Sequence, residues 1–403
     1  MENLNVTDAQ RVLFNLIGHN LFSKPLEINA SVDWNAVIKE SILQSLPLVA
    51  FKKFQDLSMD EATASNLQRL LKKIATNNIN GYKAHEYLHK LMSENQVPYC
   101  IIKGAASAFR YPDPLLRIMG DVDFYVPQEH FDRAKEVFLA EGFEFDTSDH
   151  AFHLGMKKGT LHFEMHFAPI ASPKGEIGDI FLEYWSDICQ SARLTQDVFS
   201  KYFLPSDFHH GFILLTHLRS HLLKRGVGLR HACDWAVFVN SFSDEQFTEI
   251  FCERLKRVGL WRFAQVSALM AVVLFDMPYK AWMGDDYATA RALAEEISSS
   301  GNFGSRDKNR SFATAFVSDS EYKSKHRCAL ARLFSVANSI VLRHWESAKK
   351  YPILYPIGWV YFALRFAFNR LTGRCDVNIV KSYEDGKKRT NLYRSLRFFE
   401  PET

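Results

Sequence analysis

The stretch that decides the fold of this chain is residues 99–126, YCIIKGAASAFRYPDPLLRIMGDVDFYV, together with the later segment LHFEMHF at residues 161–167. Successive side chains of a strand point to opposite faces, so Asp121 and Asp123 share one face and the apolar residues between and after them fill the other. The same alternation puts Glu164 on the polar face of the later strand. If the two strands are neighbours, the three carboxylates converge and predict a site for a hard divalent cation.

The first half of this stretch predicts a strand, a tight turn and a helix. The run YCII is apolar and suits a buried strand, and Gly104 then opens a helix of small residues, GAASAF. A glycine at such a junction lets the backbone approach a ligand, and the free N–H groups of a helix start favour phosphate. Lys103 would add a positive charge. If no aspartates followed, we would interpret this segment as an ordinary tight turn with a solvated lysine. The aspartates at 121 and 123 make phosphate binding the favoured interpretation.

Further strand signals predict an α+β core of four or five strands. They are FEF around residue 143, AFHLGM from residue 151 and LHFEMHF from residue 161, and the hairpin-like KKGT joins the last two. An amphipathic helix is predicted at about residues 129–141. Helices are also predicted on both sides of the core, with a break at residues 77–81 and a helix over residues 177–194.

These patterns divide the chain into five predicted parts. They are a helical N-terminal segment at residues 1–95, the α+β core at 96–170, a helical domain at 171–300, a mobile loop at 301–325, and C-terminal helices with a basic tail at 326–403.

Composition restricts the class of protein. With 403 residues, 47% hydrophobic and 24% charged, the chain has an ordinary globular composition, and its net charge of +3 argues against an extensive nucleic-acid surface. The six cysteines are scattered and form no CxxC pair, which disfavours zinc ribbons and disulfide frameworks. We expect a cytoplasmic protein, because the N-terminus shows no secretory signal. The apolar stretch from residue 352 is cut by Arg365, and we expect a buried or interfacial helix there rather than a membrane span.

The order of elements resembles the polymerase-β-type nucleotidyltransferase superfamily, whose fold is a mixed sheet backed by helices. More narrowly, the K-G, Y-P-D-P, R-x-x-x-D-x-D and E-x-H features resemble a bacterial family of nucleotidyltransferases whose substrate is unassigned. The segments GVGLRHACDWAVFV and GNFG are also similar to segments of that family. The resemblance covers roughly residues 67–304.

The resemblance implies a metal-dependent nucleotidyltransferase. Asp121 and Asp123 would bind Mg²⁺ (or Mn²⁺), Glu164 would be the third carboxylate, and Gly104 would be the phosphate-loop glycine. An acceptor hydroxyl on a small molecule, saccharide or protein would attack the α-phosphate of a nucleoside triphosphate and release pyrophosphate. The chain departs from the superfamily pattern in having Ala105 after the glycine and Glu rather than Asp as the third carboxylate.

Other residues of the predicted site would contact the substrates. Lys103 and Arg117 are candidates for neutralising the triphosphate, and Ser107 would only partly replace the side-chain hydrogen bonding that is absent at Ala105. His166 would contact substrate or orient the glutamate beside it. Arg230 and Asp234, four residues apart on a predicted helix, form either an ion pair within that helix or part of a cleft closed over the substrate.

Three alternatives remain open from the sequence. The two departures suggest a nucleotide- or ligand-binding module without turnover. Transfer to a nucleic acid would require a basic groove, and the basic, aromatic tail at residues 387–399 would also suit a membrane surface.

His217 and His221 have the spacing of zinc ligands on a helix, but the glutamate of a HExxH motif is missing, so we interpret them as structural.

Overall fold

The computed structural model describes residues 4–28, 31–146, 153–168, 173, 175–196, 199–224, 226–301, 337–338, 341–342, 344–372 and 379–401. Most of these residues are helical. The helices, in chain order, are α1 (Asp8–Phe22), α2 (Trp34–Leu43), α3 (Pro47–Ala50), α4 (Glu61–Glu94), α5 (Ala105–Ala108), α6 (Phe131–Ala140), α7 (Glu176–Trp185), α8 (Asp207–Leu223), α9 (Leu229–Asn240), α10 (Asp244–Arg257), α11 (Trp261–Phe275), α12 (Tyr287–Ser300), α13 (Leu354–Leu371) and α14 (Ile379–Leu396).

One small mixed sheet lies between these helices. Its strands are β1 (Cys100–Ile101), β2 (Val122–Tyr125), β3 (Glu144–Phe145), β4 (His153–Lys158) and β5 (Leu161–His166), in the spatial order β1-β2-β5-β4-β3. Strands β2 and β5 are parallel, and the other neighbouring pairs are antiparallel. The predicted α+β fold, with its small mixed sheet, is confirmed.

The pairing of β2 with β5 brings the polar faces of the two predicted strands together. Phe124 pairs with Met165, and both side chains are fully buried. One residue earlier, Asp123 pairs with Glu164. Directly paired residues of adjacent strands point to the same face of a sheet, so the two carboxylates lie side by side opposite the hydrophobic face.

The two faces of the sheet contact different hydrophobic cores. Ile101 packs into a core that the sheet shares with α4 and α6, through residues such as Leu88 and Phe138. Its neighbour Cys100 faces the core of the helical part, which includes Trp235 of α9. The polar face of β2 and β5 therefore lies toward helices α8 and α9.

Two sequence-based predictions are wrong. Residues 77–81 predict a break, yet α4 continues through them as one helix of 34 residues. Residues 177–194 predict a helix, but α7 ends at Trp185 and the chain forms the strand β6 (Arg193–Gln196), which pairs with β7 (Lys201–Leu204). Strand β7 buries Tyr202 and Leu204 in the core of the sheet, so tertiary packing decides the conformation of this segment.

Helix α4 stays intact at its weak point because the neighbouring loop contacts it there. The Asn78 side chain donates to the carbonyl oxygens of Leu115 (2.8 Å) and Arg117 (2.9 Å), and it accepts a hydrogen bond from the Met119 amide (2.9 Å). Gly81 leaves space for Met119, since a Cβ at residue 81 would lie 3.0 Å from Met119 Cβ. The asparagine and glycine therefore fix the loop that leads into β2.

Helices α8 to α12 follow one another between residues 207 and 300, in the region for which a helical domain is predicted. The predicted loop at 301–325 lies outside the described residues, apart from Gly301. Helices α13 and α14 lie in the region for which C-terminal helices are predicted. None of the helices in the described part of the chain combines the length and hydropathy of a transmembrane segment.

Candidate active site

A cleft of about 450 Å³ lies between the polar face of β2 and β5 and the helices α8 and α9. The ten residues predicted from the sequence to form the site all line it; they are Lys103, Gly104, Ser107, Arg117, Asp121, Asp123, Glu164, His166, Arg230 and Asp234. A larger cavity, of about 800 Å³, lies between α12 and α14. We assign the site to the smaller cleft because the carboxylates, cations and histidines converge there.

The three carboxylates come from two neighbouring strands. Asp121 immediately precedes β2, Asp123 lies within it, and Glu164 is paired with Asp123 across the sheet. Asp121 is the most exposed of the three, yet its pKa is raised, first by desolvation of its carboxyl group in the cleft and then by repulsion from Glu164 and Asp123. Like charges crowded in this way favour the binding of a cation between them.

Asp123 is held by two basic side chains. Lys103 Nζ lies 2.8 Å and His166 Nε2 lies 3.0 Å from the same oxygen, Asp123 Oδ1. Burial would raise the pKa of Asp123, but the charge of Lys103 and the hydrogen bond from His166 outweigh it, and the pKa is lowered. The Asp123 carboxylate therefore stays ionised, with its charge balanced by groups of the chain itself.

Glu164 lies beside two histidines. His166 Nε2 is 3.6 Å and His153 Nε2 is 3.9 Å from Glu164 Oε2, and these donor atoms are close enough to share one metal ion. His153 pairs with His166 across β4 and β5. His153 was not predicted from the sequence. The alternation of apolar residues in AFHLGM (residues 151–156) would have placed it on the same polar face as Glu164 and His166 of the neighbouring strand.

The turn between β1 and α5 shapes the end of the cleft nearest Lys103. Gly104 has φ +61°, a left-handed conformation that favours glycine. One turn further on, the Ser107 side chain is 2% exposed, and its hydroxyl has no hydrogen-bond partner among the described residues. A buried hydroxyl without a partner is costly, so a ligand oxygen in the cleft would satisfy it.

Arg117 and Asp234 join the two sides of the cleft. Arg117 Nε and Nη2 each donate to the Asp234 carboxylate at 2.9 Å, and the Tyr111 hydroxyl donates to the same group at 2.8 Å. Both charged side chains are less than 10% exposed. Burial alone would lower the pKa of Arg117, but Asp234 raises it overall. The carboxylate of Asp234 thus anchors α9 to the loop before Asp121, while triphosphate contact by Arg117 remains a prediction.

His210, a buried histidine on α8, makes stability depend on pH. It is 4% exposed, packs edge-on against Phe238, and faces Arg110, Arg117 and Asp234. Burial, with the charge of Arg110, lowers its pKa from 6.5 to about 3. The unfolded chain therefore binds a proton below pH 6.5 that the folded chain does not, and the free energy of unfolding falls as the pH falls.

We expect His210→Gln to remove this acid sensitivity. Between about pH 7 and about pH 4.5, the wild-type protein should lose about 2 kcal/mol more of its free energy of unfolding than the variant does. Urea unfolding of both proteins across this pH range measures the difference. Identical pH dependence of the two proteins would show that His210 does not titrate in this way.

Three further histidines line the cleft opposite the carboxylates. His217 and His221 lie four residues apart on α8, as the sequence indicates, and His231 joins them from α9. Sequence reasoning missed His231 because no local pattern connects it to residues ten or more positions earlier. The cleft thus has an acidic wall on the sheet and a histidine wall on the helices.

Carboxylates of the kind that bind hard cations meet a lysine, a glycine turn and a buried hydroxyl in this one cleft. A family model described as an uncharacterised nucleotidyltransferase matches residues 30–276, which include every residue of the cleft. The chain belongs to this nucleotidyltransferase family. Comparisons with curated proteins and with solved structures found no match.

Proposed function

We propose that this protein transfers a nucleoside monophosphate from a nucleoside triphosphate to a hydroxyl group of a small-molecule, saccharide or protein acceptor, and releases pyrophosphate. The observation that carries the proposal is the pairing of Asp123 with Glu164 across parallel strands, with Asp121 beside them. The family match supports nucleotidyl transfer in general. We also propose membership of the polymerase-β-type superfamily, because the order of strand, glycine turn, D-x-D strand and carboxylate strand is the one observed.

The donor set fits a hard divalent cation. Asp121, Asp123 and Glu164 supply oxygen ligands, and the pKa of Asp121 is raised first by desolvation and then by the negative charges of Glu164 and Asp123. These three residues would hold Mg²⁺ or Mn²⁺, which, when bound, neutralises the triphosphate and polarises the α-phosphate. His153 and His166 lie beside Glu164 and would favour Mn²⁺ over Mg²⁺, because imidazole suits softer ions.

The chain's own groups would position the triphosphate. The backbone at Gly104 and the Ser107 hydroxyl, which has no partner in the described part of the chain, would contact phosphate oxygens at one end of the cleft. Lys103 would neutralise phosphate charge from the same side. Its present contact with Asp123 shows that the lysine reaches the carboxylates as well as the turn.

The acceptor hydroxyl would lose its proton to a group on the sheet. Glu164 and His166 lie 3.6 Å apart and both face the cleft, so either could receive that proton directly or through water. Arg230 and Asp234, on α9, would border the acceptor side of the cleft. We infer that a small or flexible acceptor reaches this site, because the cleft volume of about 450 Å³ must also hold a nucleotide.

A ligand-binding module without turnover is the second candidate. The ion pair of Lys103 with Asp123 at 2.8 Å favours it, since the pair neutralises a carboxylate that a catalytic metal would need. Ala105 and Glu164, which depart from the superfamily pattern, are consistent with it. The two candidates make the same binding prediction and differ only in product formation.

The full-length protein should be incubated with Mg²⁺ or Mn²⁺ and each of the four ribonucleoside triphosphates labelled on the α-phosphate. Small-molecule and protein fractions of a cell extract serve as acceptors. We expect pyrophosphate release and transfer of the label with one or two of the nucleotides, and loss of both when EDTA is added. Thermal stabilisation by a non-hydrolysable triphosphate without any product would instead identify a binding module.

A further inference from the structure

The histidine wall of the cleft consists of three imidazoles from two helices. His217 and His221 follow each other by one turn of α8, and their Nε2 atoms are 2.8 Å apart. His231, in the first turn of α9, completes the group, and the three rings lie with centroids 4.3 to 5.4 Å from one another. Within the described residues, one nitrogen of each histidine lies within 4.8 Å of those of the other two.

This arrangement has the geometry of a transition-metal site. Two histidines four apart on one helix present both rings on the same side, which is the spacing found in helical zinc sites. In a tetrahedral zinc site the Zn–N distances are about 2.0–2.1 Å, so the nitrogen atoms of neighbouring ligands lie somewhat more than 3 Å apart. The three histidines would need only small side-chain movements to reach this geometry. Three histidines with a water or substrate in the fourth position are one of the ligand sets of catalytic zinc sites.

We propose that His217, His221 and His231 bind a transition-metal ion of the zinc type, with a fourth coordination position open to the cleft. This site is separate from the carboxylate site on the sheet, and it stands whether or not the protein transfers nucleotides. Imidazole nitrogen suits zinc, copper, nickel and cobalt, whereas Mg²⁺ takes oxygen ligands. The two walls of the cleft would therefore select different ions.

The protonation state of the histidines agrees with metal binding. Burial, together with nearby Lys103 and His221, lowers the pKa of His217 well below its usual value. Burial and nearby Arg230 do the same for His231. These shifts favour the neutral form of both rings, which is the form that coordinates a metal.

The charge around the site permits a dication. The positive charges of Lys103 and Arg230 would repel a bound dication. The cleft as a whole, however, is lined by four carboxylates and three cationic side chains. An ion bound to them would face the acidic wall across the cleft, which offsets the repulsion from the two nearest cations.

The fourth position determines what the bound ion could do. Three protein ligands leave one site for water or for an oxygen of a substrate, as in catalytic rather than structural zinc centres. Since His217, His221 and His231 line the same cleft as the carboxylates, that oxygen would belong to a molecule bound between the two walls. The chemical class of ligand is thus a phosphate or hydroxyl oxygen donor.

Cobalt(II) is the probe for this site, because its visible spectrum reports coordination number. Untagged full-length protein, freed of metal with a chelator and then given excess Mg²⁺ to occupy the carboxylates, should bind one equivalent of Co²⁺ with the intense visible absorption of a four-coordinate ion. Zn²⁺ should displace it, and an excess of Mg²⁺ should not. Weak absorption typical of six-coordinate Co²⁺, or displacement by Mg²⁺, would assign the ion to the carboxylates and overturn the proposal.

Variants locate the ion. His221→Gln and His217→Gln change half-buried side chains. Each should weaken Co²⁺ binding by more than ~10–100-fold, which is the loss typical when a residue that only hydrogen-bonds to a metal ligand is replaced. His130→Gln, a half-buried histidine on a turn away from the cleft, should bind as the wild type does. Asp121→Asn should also retain binding, and this separates failure here from failure of the proposed nucleotidyl transfer.

Thermal unfolding without metal checks that each variant is folded. Unchanged Co²⁺ affinity in both folded histidine variants would refute the site and leave the three rings as a packed, hydrogen-bonded cluster. Equal losses of affinity in the histidine variants and in Asp121→Asn would refute a separate site as well.

Discussion

Replacement of Asp121 by asparagine is expected to abolish pyrophosphate release while leaving the protein folded. The carboxylate lies at the mouth of the proposed metal site, and loss of a ligand should cost several kcal/mol of transition-state stabilisation, which is about 10³-fold in rate. The measurement is kcat/KM for the preferred nucleotide at saturating Mg²⁺, with product detected through the labelled α-phosphate.

The same substitution should not destabilise the fold. Asp121 is exposed, and it makes no hydrogen bond or ion pair with the described residues. Its pKa is raised by desolvation and by repulsion from Glu164 and Asp123, so removing its charge relieves that repulsion. We expect the free energy of unfolding to stay within about 0.5 kcal/mol of the wild type or to rise. Stability kept while activity is lost distinguishes a functional group from a structural one.

Asp132→Asn is the matched control, because Asp132 is an exposed aspartate on α6 outside the cleft. Its activity should equal that of the wild type. Activity retained by Asp121→Asn would remove Asp121 from the mechanism. If Asp123→Asn also kept its activity, nucleotidyl transfer at this cleft would be rejected altogether.

Replacement of Asp234 by alanine is expected to have the largest effect on stability. It would leave Arg117 buried without its bidentate partner and the Tyr111 hydroxyl without its acceptor. Breaking a buried ion pair by removing one member costs about 3–5 kcal/mol, because the remaining charge is uncompensated. Urea unfolding should show the loss as a lower midpoint, and activity should fall with it because α9 loses its attachment to the loop before Asp121.

Two comparisons separate the ion pair from simple loss of side-chain volume. Arg117→Met combined with Asp234→Leu removes both charges and should recover most of the lost free energy. Tyr111→Phe removes one hydrogen bond and should cost about 1 kcal/mol. A loss below about 1 kcal/mol for Asp234→Ala would show that the pair contributes no more than a surface ion pair does.

The acidic half of the site could be predicted because its signals are local. Alternation along two short strands placed Asp123 and Glu164 on polar faces, and the pairing of β2 with β5 brings them together. The Gly104 turn was likewise visible in the sequence, as a glycine between an apolar run and small residues. Each of these signals needs only a few consecutive residues.

The other half depends on contacts between distant residues. The bond between Arg117 and Asp234 joins positions 117 residues apart, and His231 meets His217 only because α8 packs against α9. The helix expected over residues 177–194 failed for a related reason, because the hairpin of β6 and β7 is stabilised by burial of Tyr202 in the sheet core. Periodicity describes one element at a time and does not reveal its partner.

The middle of α4 contains residues that are unfavourable in a helix but that leave space for the loop packed against it. Glycine to alanine in a helix interior ordinarily gains about 1 kcal/mol, so Gly81 looks like a position to improve. Here a Cβ would press on Met119, two residues before Asp121, at 3.0 Å. A change that strengthens the helix in isolation would thus press on the loop that leads to Asp121. Engineering for thermal stability should therefore leave this turn of α4 unchanged.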